Sequence, residues 1–230
     1  MLSEISDAPA VRDELTTLIV PHVFRLALEM ELARANRHGY GLALLLINID
    51  NIEEVTGAHG PAAGDRLIQR VGLLARRFFR RHDWVARYDV ESIAVLLPDT
   101  PMDTGATLAG RFRETITQRL VLKEFRTGVE SYIKLSAAVV AADLVHGDLD
   151  ADDVTSELEA AVTRARLTGG DGVEQVALLP TSVTIPTAAA LLGRSRDDIT
   201  SLIRDGSLRA IRRGRNFFIE RRLLEELIRN

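Results

Sequence analysis

Apolar residues recur at near-helical spacing from Val11 to about Arg37, through Leu15, Leu18, Val23, Leu26 and Met30, and predict an amphipathic helix. His38-Gly39 ends it, as a glycine C-cap would. Leu42–Ile47 is continuously apolar and runs into Asn48-Ile-Asp50, the pattern of a central strand buried on both faces. Gly60-Pro-Ala-Ala-Gly64-Asp65 reads as a turn into a helix that ends in the basic stretch Arg76 to His82. Trp84–Tyr88 and Ile93–Leu97 predict short strands, with Asp89-Val90-Glu91-Ser92 as their hairpin connection. Beyond the loop Pro98–Pro101 come a helix over Met102 to about Phe125, a strand over Ile133–Ala141 and a helix over Asp152–Thr168. Gly169–Gly172 breaks the pattern before a last strand, Val173–Leu179. The order αβαββαβαβ predicts an α/β (α+β) sandwich: a central mixed sheet with helices packed against it.

Around Pro180–Pro186 the pattern restarts, which divides the chain into residues 1–179 and 180–230. Thr184 to Gly206 has helix, glycine turn and helix spacing, with Ala189, Leu192, Ile199, Leu202 and Ile203 as the apolar contacts and Ser195 as N-cap of the second helix. Leu208–Ile219 alternates and turns at Gly214, a β-wing with an arginine-rich tip, and Arg221–Ile228 closes the unit as a helix.

The two parts differ in charge. From Thr181 onward there are ten Arg, no Lys and six Asp or Glu, a net +4 within a chain whose total is −4. A basic unit on an acidic body is the pattern of one part touching nucleic acid and the other not; a solvated Arg-rich face is the alternative. Absence of cysteine excludes disulfides, thiolate metal sites and a cysteine nucleophile. No apolar run approaches the ~20 residues of a membrane span. Met1–Ala10 is acidic and polar, unlike a signal peptide, so a cytoplasmic protein with no membrane partner is expected.

Asp13-Glu-Leu-Thr-Thr-Leu18, the strand ending Asn48-Ile-Asp50, Gly60-Pro-Ala-Ala-Gly64-Asp65 and Arg87-Tyr88 before a hairpin and Ile93–Pro98 together resemble a GGDEF domain over about Val11 to Leu179. The resemblance implies a nucleotide-cyclase-like sandwich. It also implies condensation of two GTP into cyclic di-GMP with carboxylates holding Mg²⁺ against a triphosphate. Here the matching positions depart from the family. Asn48 replaces the first metal-binding Asp, and Asp89-Val90 stand where two glycines give a ligand room. Glu91 keeps the first acidic position. Thr56 replaces a guanine-contacting Asn whose partner Asp65 remains, and Arg166 and Gly170 replace a phosphate-binding Lys and Arg. The reading is a degenerate cyclase with no catalytic residues, no metal and no bound cofactor. Asp65 at a helix start and Asp50 after its strand have an alternative role as local caps.

The resemblance further implies a second, inhibitory-type site for cyclic di-GMP, marked by Arg-x-x-Asp six residues ahead of the motif. Arg80-Arg81-His82-Asp83 stands in that register, and Arg111 falls where the following helix adds another Arg. Guanidinium groups suit phosphates and guanine Hoogsteen edges, and Asp83 suits guanine N1–H and N2–H. The alternative is a basic helix end favourable to the helix dipole.

The C-terminal unit is similar to the excisionase family of winged helix-turn-helix domains, akin to the DNA-binding part of MerR-type regulators. By that likeness the second helix, capped by Ser195, presents Arg196, Thr200 and Arg204 to the major groove of double-stranded DNA. Arg212, Arg213 and Arg215 then follow phosphates or the minor groove. Asp197 and Asp198 favour the helix dipole but repel phosphate, so pairing as a homodimer is expected to supply affinity. The expectation is a cyclic di-GMP-responsive transcriptional regulator. Two alternatives stay open: a DNA-binding protein whose GGDEF body only dimerises or docks a partner, and residual cyclase or GTP binding through Glu91 and Asp65.

Overall fold

The computed structural model describes residues 11–38, 40–123, 130–142, 149, 151–178, 182–213 and 216–229. The chain runs α1 (Pro21–His38), β1 (Leu42–Ile49), α2 (Ile52–His59), α3 (Pro61–Phe78), β2 (Trp84–Arg87), β3 (Ser92–Pro98) and α4 (Met102–Arg119). It continues with β4 (Val121–Lys123), β5 (Glu130–Tyr132), β6 (Leu135–Ala142), α5 (Ala151–Leu167) and β7 (Val173–Leu178). The C-terminal unit holds β8 (Ser182–Thr184), α6 (Ile185–Leu192), α7 (Arg196–Arg204), β9 (Ile211–Arg213), β10 (Asn216–Glu220) and α8 (Arg221–Arg229).

The apolar run of β1 is buried along its whole length because it is the middle strand of a five-stranded mixed sheet, β2-β3-β1-β6-β7. It pairs antiparallel with β3 and with β6, while β6 and β7 are parallel. Successive side chains of a strand point to opposite faces. Ala43, Leu45, Ile47 and Ile49 accordingly enter one core with α2, α3 and α4. Leu42, Leu44 and Leu46 enter another with α1 and α5. In the C-terminal unit Val183, Ala188, Ile199, Leu208, Ile219 and Leu224 form a separate core under the sheet β8-β10-β9. All five apolar contacts expected of the helix pair belong to it.

Several elements differ from the expectation. The first helix starts at Pro21, not Val11, because Asp13 closes a turn by accepting from Thr16 N at 2.8 Å and Thr16 Oγ1 at 2.6 Å, and Thr17 takes φ +59°. Residue 19 then pairs with the outer side of β2: Ile19 N donates to Val85 O at 3.2 Å and Arg87 N to Ile19 O at 2.9 Å. Proline fits a first helical turn, where its missing N–H has no partner to lose. The buried face of α1 is Phe24, Ala27, Leu28, Leu32 and Ala35, leaving Leu26 and Met30 exposed. Helix α2 and the β4–β5 hairpin were not expected. The helix starting at Met102 stops at Arg119, and the strand expected from Ile133 starts at Leu135. Met1–Ala10, Gly39, Phe125, Leu179, Pro180, Gly214 and Arg215 lie outside the described residues.

Candidate functional site

Strand register builds the first part of the site. Asn48 faces Ser92 on β3 and Ser136 on β6, so three polar residues cross the middle of the sheet at its end. The Asn48 amide donates to Ser92 Oγ at 3.0 Å and to Glu91 Oε2 at 3.5 Å. Asp50 Oδ2 accepts from Ser136 Oγ at 2.9 Å and from Asp171 N at 3.0 Å, tying β1 to the turn after α5 instead of capping its own turn. Asn48 Oδ1 and Asp50 Oδ1 are buried without a hydrogen-bond partner among the described residues. Gly170 makes the approach possible: it takes φ +68°, and a Cβ there would lie 3.0 Å from Asp50 Oδ2.

Beside this row, a cleft of about 370 Å³ opens between α2, α3 and the β2–β3 hairpin, with Thr56, Asp65, Arg87 and Glu91 among its lining. Asp65 is the fifth residue of α3 and not its cap; that helix opens on Gly60 and Pro61, without a side-chain cap among the described residues. Arg87 reaches back to Asp13, its Nη1 3.2 Å from both carboxylate oxygens. Burial pushes the Asp13 carboxyl up, but the Thr16 and Arg87 hydrogen bonds outweigh it and hold the pKa below the usual value. Asp89 folds into its own hairpin, accepting from Glu91 N at 2.8 Å.

The Arg-x-x-Asp segment is a turn after α3, which ends at Phe78, and not the last turn of a helix. Phe78, Phe79 and Phe112 form a ring trio, with the two α3-end rings each 5.3 Å from Phe112. Two of these rings, Phe79 and Phe112, have Arg80 and Arg111 as their sequence neighbours. Both are exposed, and no described carboxylate lies within 4.0 Å of either guanidinium. Asp83 instead turns inward. Its side chain is only 3% exposed, Arg80 N donates to Oδ2 at 2.8 Å, and His82 Nε2 is 3.7 Å from Oδ1. Burial raises its pKa, partly offset by the Arg80 N–H and the His82 and Arg80 charges.

In the C-terminal unit Gly193 ends α6 in the left-handed region at φ +61°, and Ser195 caps α7. Ser195 Oγ accepts from Asp198 N at 3.1 Å and Asp198 Oδ2 accepts from Ser195 N at 3.0 Å, a reciprocal capping box. The Ser195 hydroxyl also donates to Asp198 Oδ2 at 2.7 Å, and this bond together with the Ser195 N–H holds the Asp198 carboxyl below its usual range. Arg196, Thr200 and Arg204 recur every four residues and form one row along α7, beside the core-packed Ile199 and Ile203. Both arginines are exposed. Thr200 Oγ1 donates to Arg196 O at 2.8 Å. Arg212 on β9 lies 5.9 Å over the Phe217 ring. Arg213 is on the same strand, and Arg215 is outside the described residues. The sequence did not single out the ring trio, the inward turn of Asp83 or the Asp50 contact with residue 171; all three depend on segments that meet only in the fold.

No described helix is long and apolar enough to cross a membrane. Residues 10–172 match the family of diguanylate cyclase GGDEF domains and residues 182–230 a helix-turn-helix domain family. The chain is 30% identical over 165 residues to the diguanylate cyclase DgcP of Pseudomonas aeruginosa, covering 72% of this chain and 24% of DgcP. It is 26% identical over 174 residues to the diguanylate cyclase DosC of Escherichia coli, covering 76% of this chain and 37% of DosC. It thus spans only 24% and 37% of the length of these two relatives. Among solved structures, the GGDEF domain of DgcB from Caulobacter crescentus, in complex with c-di-GMP, superposes with a TM-score of 0.67 at 23% identity, over 73% of this chain and 96% of that one. The FimX GGDEF domain of Pseudomonas aeruginosa gives 0.64 at 18% identity, over 73% and 99%. With its match over residues 10–172 and this shared fold, the chain belongs to the GGDEF family and carries a helix-turn-helix domain behind the GGDEF domain.

Proposed function

We propose that this protein is a DNA-binding regulator whose GGDEF domain binds cyclic di-GMP without making it. The observation that carries the reading is the side of α7 on which Arg196, Thr200 and Arg204 line up behind a capping box at Ser195. A capped helix with an exposed guanidinium at either end of one row suits a groove lined by phosphates and purine edges. Arg212, Arg213 and Arg215 extend the contact along the wing. The capping box ties Asp198 to Ser195, which reduces its cost near phosphate.

Arg80 and Arg111 are the proposed grips for the cyclic dinucleotide. Asp83 joins them by exchanging the Arg80 N–H for a guanine edge. Synthesis is not proposed, because the donor set does not fit Mg²⁺. At position 48 a neutral amide donates to Glu91, where a hard cation would need an anionic oxygen donor. No group of three His, Cys, Asp or Glu that could hold a metal occurs among the described residues. Two copies act together in the cytoplasm, each reader taking one half-site.

The test is anisotropy of labelled duplex DNA selected from a genomic library, at several salt concentrations and with or without cyclic di-GMP. Affinity should fall with a log–log slope of ~−0.9 per phosphate contacted, and Arg204→Ala should flatten it by about one contact. Cyclic di-GMP should shift the affinity, and Arg80→Ala or Arg111→Ala should abolish that shift. Salt-independent or absent binding overturns the DNA reading; a shift that survives both variants overturns the ligand site. The 370 Å³ cleft with Thr56, Asp65 and Glu91 favours a second reading, a guanine nucleotide held without turnover, which GTP titration separates from the first.

A further inference from the structure

Helix α1 is apolar on two opposite faces. Phe24, Ala27, Leu28, Leu32 and Ala35 are spent on the core. On the far side Val23, Leu26, Met30 and Ala33 follow one another at intervals of three, four and three residues. Leu26 is 56% exposed and Met30 70%. Single apolar residues on a surface need no explanation, but a row at this spacing is the a/d seam of a two-stranded coiled coil.

The charges beside the seam select the partner. With Val23 and Met30 at a positions, Glu29 is a g position and Arg34 the next e position. In a parallel pair each g residue faces the e residue five positions on in its partner, so Glu29 meets Arg34 twice about a two-fold axis. In the opposite orientation g faces g and the complementarity is lost. Within its own helix Glu29 pairs with Arg25 at 3.2 Å on the exposed surface, where such pairs hold weakly and exchange readily, while Arg34, itself exposed, lies 3.7 Å from the buried Glu31 carboxylate. Arg25 also bonds Asp152 on α5, holding α1 to its own domain so that the seam faces outward.

We propose that the Val23–Ala33 stripe of α1 is the surface through which a second copy of this chain docks, parallel and two-fold symmetric. The proposal rests on the homodimer of the proposed function and names where it forms. The seam is short, so the dimer should depend on protein concentration.

The experiment is sedimentation equilibrium of the full chain without DNA. The mass should rise with concentration from 25.4 kDa toward twice that value. Leu26→Glu with Met30→Glu, both at exposed positions, should weaken dimerisation at least about tenfold while the thermal melt and circular dichroism stay unchanged. Glu29→Arg and Arg34→Glu should each weaken it alone, because like charges then face each other. An equimolar mixture of the two single variants should recover the dimer, because each chain then supplies the charge the other lacks. A dimer that persists in the Leu26/Met30 variant overturns the stripe and leaves the homodimer standing. Failure of the mixture to recover overturns the parallel arrangement. A wild-type chain that stays at 25.4 kDa throughout overturns the homodimer as well.

Discussion

The side-chain amide of Asn48 points at the carboxylate of Glu91, 3.5 Å from Oε2, while also donating to Ser92 Oγ at 3.0 Å. A neutral donor thus satisfies the acidic group that the β2–β3 hairpin presents. Asn48→Asp replaces that donor with a second carboxylate, and two like charges at this distance disfavour ionisation of both. The variant should lose about 1–3 kcal/mol of stability without divalent ions, from the lost donor and the repulsion. Added Mg²⁺ should recover part of the loss in a thermal melt, and the wild type should not respond. A wild-type melt that rises with Mg²⁺ as much as the variant's contradicts this account.

Asp13 and Arg87 hold the 11–20 segment against the hairpin. Asp13→Ala removes acceptors for Thr16 and Arg87 together and should cost about 2 kcal/mol in urea unfolding at neutral pH. The folded-state pKa of Asp13 lies below its ordinary value, so its contribution is present above the normal carboxylate range and fades as pH falls through the depressed one. The gap between wild type and variant should therefore narrow on acidification. A gap that is constant or widens at low pH refutes the assignment.

Two glycines should respond unequally to alanine. Gly193→Ala meets only the strain of φ +61°, with no atom within 4 Å of the new Cβ, and should cost about 1 kcal/mol. Gly170→Ala adds to a similar strain a Cβ 3.0 Å from Asp50 Oδ2 and should cost more, about 2 kcal/mol. Equal losses in denaturant unfolding would mean that the Asp50 contact yields freely.

Ser195→Ala removes the acceptor for Asp198 N and should lower stability by about 1 kcal/mol. Ser195→Thr, which keeps both the acceptor for Asp198 N and the hydroxyl donor to Asp198 Oδ2, should restore most of it. Amide exchange in the first turn of α7 is the readout, faster in the alanine variant and near wild type in the other; no change in the alanine variant means the cap is idle.

How far the chain could be read in advance depended on whether a pattern had one structural meaning. Leu42–Ile49 could only be a strand covered on both sides, and Gly193 with Ser195 could only be a helix stop and start. The start of α1 was misread because Leu15 and Leu18 continue the helical period across Pro21, while the Asp13 turn that breaks it depends on Arg87, distant in sequence. Helix α2 was missed because eight residues bury only Ile52 and Val55, too few for a periodic signal. Arg80, Asp83 and Arg111 could be picked out by residue type and spacing. The inward turn of Asp83 could not, since the burial that decides it comes from tertiary packing. Leu26 and Met30 fitted a buried face in the sequence, and only the fold sets them on the opposite side.

The pairing of Ile19 with β2 has a consequence for solubility. A short outer strand offers unsatisfied N–H and C=O groups to any neighbouring chain, and proteins that persist at high concentration blunt such edges. Here the covering piece is two hydrogen bonds long and is held by the Asp13–Arg87 contact, by Arg76 donating to Thr17 and by Leu18 in the core. A chain shortened to begin at Pro21 keeps every helix and strand named above yet loses its edge guard. It should express as a folded protein that self-associates through open β2 edges, irreversibly and without regard to the charges on α1.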